Sequence, residues 1–157
     1  MSRLAAIATH EAAHAAAAVL LGCKVTLVTV TSAEDGVVGE THWIRGPLTR
    51  IHLLIMLAGG LVADTSIATE YGCWPPEWPT LPGRGDQGDI HEAVKRLELD
   101  KADYDQVVRG ARELVASQEF RHLMLMVSAA AGPDRPMNGD DVERVAGTDL
   151  ISRYQRS

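Results

Sequence analysis

His10 and His14, four residues apart with Glu11 beside the first, carry the most chemistry in their spacing of any residues in this chain. On a helix, positions four apart share a face, so the two imidazoles can grip one metal ion together. Glu11 cannot easily reach the same ion, but its carboxylate can hold a water that the ion activates and take its proton. Zinc is the default ion for two neutral imidazoles, an oxygen ligand and an open fourth position, although iron, manganese or nickel accept the same donors. If the three polar groups were simply buried without partners, each would cost roughly 1–3 kcal/mol.

The residues around them set the local structure. From Arg3 to Leu21 the chain is almost wholly Ala, Leu, Ile, Val, His and Glu, with no Pro or Gly, which predicts a helix that Gly22 ends. The run is long and apolar and follows Arg3 closely, as a signal peptide or membrane span would. His10, Glu11 and His14 break it at a depth where ionisable groups are costly in a bilayer, and no small-x-small cleavage site stands out. The expectation is a cytoplasmic protein without a membrane span.

At 157 residues and 46% hydrophobic content, the chain is expected to form one domain with a substantial core. The formal net charge of -6 and the lack of any segment dense in Lys or Arg argue against nucleic-acid binding. Cys23 and Cys73 are too few for a disulfide framework, which suits a reducing compartment.

Beyond the helix, Lys24 to Thr31 alternates polar and apolar residues and is rich in β-branched side chains, and Val37 to Ile44 reads likewise. The two are expected to pair as a hairpin across a turn at Ser32 to Gly36, with Gly39 marking a bulge or a close backbone approach. Thr49 to Thr69 returns to helical periodicity, with Ile51, Leu54, Ile55, Ala58, Leu61, Val62 and Thr65 on its apolar face and a Gly59-Gly60 pair where another helix can pack closely. Tyr71 to Gly88 is read as a loop rich in Trp, Pro and Gly, able to act as a lid or docking surface. A helix over Asp89 to Leu99 follows, capped by Asp86 or Asp89. One long helix is then expected from Ala102 to Ala131, a short one over Met137 to Gly147 capped by Asn138 or Asp140, and a frayed terminus. The fold class is therefore mainly α with a small β-hairpin, an α+β fold built on a zincin-like helix. Its motif-bearing part is residues 3–99, and its C-terminal helices are residues 100–150.

Two histidines on one helix need a third protein ligand. Asp64, Asp86, Asp89, His91 and Glu92 are the candidates, and spacing alone does not choose among them.

The order of motifs resembles the peptidase domain of the FtsH family of ATP-dependent zinc metalloproteases. The matching elements are His10-Glu11-Ala12-Ala13-His14, Val38-Gly39-Glu40-Thr41, Leu57-Ala58-Gly59-Gly60-Leu61-Val62-Ala63-Asp64 and Gly88-Asp89-Ile90-His91-Glu92-Ala93. The resemblance implies that His10, His14 and Asp89 are zinc ligands, that Glu11 is the catalytic base, and that Asp64 orients a ligand; apart from the resemblance, Asp64 and Asp86 both remain orienting groups or alternative ligands. It also implies that Val37, Val38, Gly39, Glu40 and Thr41 form the edge on which an extended substrate adds as a strand. Ala13 stands where the family usually has Gly. The ATPase domain and membrane anchor of the family find no counterpart here, and neither does the Trp/Pro stretch from Cys73 to Pro82. The implied activity is a zinc-dependent endopeptidase with one Zn2+ per chain, acting on peptides or unfolded protein segments, alone, as a homo-oligomer or with a separate ATPase partner. The other readings are a non-catalytic peptidase-like module that binds peptides, and a peptidase of narrow specificity with a different third ligand. The oxyanion donor stays open among His42, His52, His91 and a backbone amide.

Overall fold

The computed structural model describes residues 2–33, 36–62, 73–75, 85–132 and 134–156. Its elements are α1 (Arg3–Leu20), β1 (Val25–Ala33), β2 (Gly36–Trp43), α2 (Arg50–Val62), α3 (Asp86–Arg96), α4 (Lys101–Ala116), α5 (Gln118–Ala130), β3 (Met137–Asn138), α6 (Gly139–Ala146) and α7 (Thr148–Arg156). They make a mainly helical α+β fold around a three-stranded antiparallel sheet in the order β2-β1-β3.

α1 runs through the middle. Every residue from Glu11 to Leu20 is buried, and Ala12, Ala13 and Ala15 to Ala18 are fully so. Alanine on nearly every side lets α2, α5 and the sheet all approach the helix closely, which is how a helix this short of bulky side chains comes to sit at the centre. The larger apolar groups come from its neighbours: Leu53, Ile55 and Leu57 of α2, Ile90 of α3, Tyr104 of α4, and Phe120, Leu123 and Val127 of α5.

The two strands pair as the expected hairpin, with register from Val25 opposite Trp43 to Ala33 opposite Gly36, but Ser32, Ala33 and Gly36, expected in the turn, belong to the strands. Its one irregularity lies between Val25 and Leu27, so Gly39 is not a bulge. β3 was not expected; two residues are too few to show a period in sequence. Gly139, immediately after it, lies so close to Val25 that a Cβ there would meet the Val25 carbonyl oxygen.

Four expectations for the helices need correction. The single helix over Ala102 to Ala131 is two, because Ser117 adopts an extended conformation (φ -67°, ψ 148°) and its hydroxyl accepts the Phe120 N–H as an N-cap. The expected frayed terminus forms α7, which packs Leu150 into the core. α3 begins at Asp86, one turn before Asp89, and its N-cap is Gly85, so neither aspartate caps the helix. Asn138 does cap α6, in a reciprocal box with Asp141. Ile51, expected on the inner face of α2, is exposed, while His52 is buried. Asp64, the far end of the expected α2 helix and most of the Trp/Pro stretch lie outside the described residues.

Candidate metal centre

α1 and α2 pack with matched spacings. His10 Nδ1 donates to the Gly59 carbonyl oxygen at 3.1 Å, and His14 Nδ1 donates to the Ile55 carbonyl oxygen at 2.9 Å. Residues 10 and 14 on one helix thus meet residues 59 and 55 on the other. These bonds fix both rings with Nδ1 protonated and leave both Nε2 lone pairs aimed at a common point, as second partners do for metal-bound histidines.

Asp86 supplies the third donor. Its Oδ2 lies 2.7 Å from His10 Nε2 and 2.9 Å from His14 Nε2, and the two Nε2 atoms are 3.1 Å apart. Three acceptor atoms converging in this way need positive charge among them, as a proton or as a cation. Ligand atoms at tetrahedral zinc distances lie about 3.3 Å from one another, so the trio need spread by only roughly half an ångström to hold the ion. His14 is almost wholly buried, whereas His10 and Asp86 are partly exposed, and His14 and Asp86 line a pocket that leaves a side for a further ligand. The residues fit zinc. His10, His14 and Asp86 are the one such trio among the described residues.

Asp89, the ligand implied by the motif resemblance, lines the same pocket from one turn further along α3 but is exposed and does not join the trio. The two aspartates lie one turn apart on the same side of α3, and it is the one at the first position of the helix whose carboxylate reaches the imidazoles. His91 and Glu92 are exposed on α3, away from the cluster.

β2 completes the site. Its side chains alternate: Val38, Glu40 and His42 are exposed, while Gly39, Thr41 and Trp43 turn toward α1. Gly39 leaves room for the Glu11 side chain; a Cβ there would come within 2.7 Å of both Glu11 Oε1 and Ile7. The Thr41 hydroxyl lies 2.7 Å from Glu11 Oε2 and 3.0 Å from the Glu11 carbonyl oxygen. Trp43 stacks on His14 with ring centroids 6.4 Å apart, and the Arg45 guanidinium covers the indole at 4.6 Å. Glu11, 7% exposed, therefore lines the same pocket as His14 and Asp86 without belonging to the trio. Of the three imidazoles considered as oxyanion donors, only His42 lines this pocket; His52 Nδ1 instead accepts from the Thr49 N–H.

The electrostatics of the cluster set a pH dependence. Burial works against a charged His10, but the hydrogen bond and charge of Asp86 outweigh it and raise the imidazole pKa. Burial likewise works against an ionised Asp86, yet the bonds from His10 and His14 hold its carboxyl far below the usual carboxylate range. The His10 contribution is present below the ordinary histidine value of about 6.5 and lost as pH rises through the raised one; that of Asp86 is present above about 4 and lost as pH falls through the depressed one. Chelator-treated protein is expected to melt highest between about pH 4 and 6.5 and to lose stability as the pH rises beyond that range. Differential scanning calorimetry from pH 3 to 9 checks this, and Asp86→Asn should flatten the alkaline limb.

No protein-family model, no curated protein and no solved structure matches this chain. Among the described residues, no helix is long and apolar enough to cross a membrane.

Proposed function

We propose that this protein is a zinc-dependent endopeptidase acting on peptides or unfolded protein segments, with His10, His14 and Asp86 as metal ligands and Glu11 as general base. The observation that carries the reading is the convergence of two tautomer-fixed Nε2 atoms and one carboxylate oxygen beside a second, separately held carboxylate. Bound zinc would supply Lewis acidity, polarising a carbonyl and bringing the pKa of water to about 7. Glu11 takes the proton of the attacking water and passes it to the departing amine. β2 lies at the edge of the sheet, so an extended peptide can add alongside Gly39 to Trp43 and run its backbone past the pocket.

The order of motifs along the chain, similar to that of the FtsH-family peptidase domain, supports the same chemistry. Two cysteines, Cys23 and Cys73, are too few for a disulfide framework, which suits a cytoplasmic site of action. The test is digestion of dye-labelled casein. Cleavage that a chelator stops and added zinc restores is the expected result. Zinc-loaded protein that leaves casein and unstructured peptides intact would overturn the peptidase reading in favour of a peptide-binding module.

A further inference from the structure

Glu11 is held by β2 in a way that its own helix does not require. Its side chain projects from the buried part of α1 into the space over Gly39, and of its two carboxylate oxygens one is 2.7 Å from the Thr41 hydroxyl. Thr41 sits opposite Val28, which is fully buried, so the strand that carries the hydroxyl is anchored to the core at that register. Thr41 is also one of three alternate β2 residues that serve the site, between the Gly39 that makes room for Glu11 and the Trp43 that backs His14.

We infer that Thr41 is a positioning residue: its hydroxyl fixes the rotamer of Glu11 and so holds the carboxylate in the pocket where it receives the proton. This rests on the peptidase reading above. A base left free to rotate spends its time out of reach of the attacking water, and misplacement of a catalytic group by about 1 Å can cost on the order of 100-fold in rate. The threonine hydroxyl has one hydrogen, shared between Oε2 and the Glu11 carbonyl oxygen at 3.0 Å, and both acceptors belong to the residue being held. The hydroxyl therefore ties backbone and side chain of Glu11 to the same strand position.

The experiment compares wild type, Thr41→Val, which keeps the shape without the hydroxyl, and Thr41→Ser, which keeps the hydroxyl. Each is measured for bound zinc, melting temperature, and kcat and KM on a quenched-fluorescent peptide. The expected result is a kcat lower by on the order of 10- to 100-fold in Thr41→Val. KM and zinc content should stay unchanged, and Thr41→Ser should recover most of the rate. A Thr41→Val protein that turns over like wild type, or a serine variant as slow as the valine one, would overturn the inference while leaving the peptidase reading intact. If wild type cleaves no peptide, that reading fails by itself, and crystal structures of zinc-loaded wild type and Thr41→Val decide the positioning. A carboxylate bonded to Thr41 in the first and turned away in the second supports it; the same carboxylate position in both sinks it.

Discussion

Glu11→Gln is expected to lower peptide cleavage by about 1000-fold while leaving the metal in place. Glutamine has the size and shape of the residue it replaces and can still accept the Thr41 hydroxyl through its carbonyl oxygen, so the local packing persists. It cannot take a proton from water. Because Glu11 stands apart from the His10, His14 and Asp86 trio, zinc content should match wild type. Steady-state rates on casein together with elemental analysis read both quantities. A glutamine variant that cleaves at the wild-type rate would remove Glu11 from the mechanism, and one that loses its zinc would make Glu11 a ligand instead of a base.

Gly59→Ala should damage the site from the other helix. A Cβ on Gly59 would fall on the His14 ring, within 2.9 Å of Nδ1 and closer still to the two atoms beyond it. That ring has nowhere to go: it is 4% exposed, bonded to the Ile55 carbonyl and backed by Trp43. The helices must part instead, and doing so stretches the bond from His10 to the Gly59 carbonyl as well. Overpacking of this kind costs about 1–3 kcal/mol. Loss of the groups that orient metal-binding histidines weakens the site by about 10- to 100-fold. Urea unfolding and zinc titration measure the two effects. Gly46→Ala, at a position with nothing within 4 Å of the added methyl, should change neither. Equal behaviour of the two variants would contradict the packing account.

The central helix was readable because its composition and its two histidines pointed the same way. The hairpin was readable because β-branched alternation is a strong signal over eight residues, and the small residues of α2 announced a close approach whose occupant proved to be an imidazole. The third member of the cluster was not readable in this way. Asp86 and Asp89 lie three residues apart in one Gly-rich stretch, both suited to a helix start, and the choice between them turns on which glycine ends the loop. In the structure the helix starts after Gly85, and Asp86 at its first position is the one bonded to both imidazoles. The break at Ser117 was hidden because apolar positions recur on both sides of it, from Leu114 to Phe120 and Leu123, as they would along one helix. A serine followed by Gln118 and Glu119 was the available signal for a new N-terminus. α7 was missed because only Leu150, Ile151 and Tyr154 mark its inner face. The role of Thr41 could not come from its strand, since a threonine in a half-exposed β-strand is ordinary until its register against α1 is known.

The most direct test of the metal centre is zinc per chain, measured by elemental analysis in wild type, Asp86→Ala and Asp89→Ala. The geometry predicts close to one zinc in wild type and in Asp89→Ala, and its loss in Asp86→Ala. Full zinc retained by Asp86→Ala and lost from Asp89→Ala would contradict it and restore the ligand set that motif order implied.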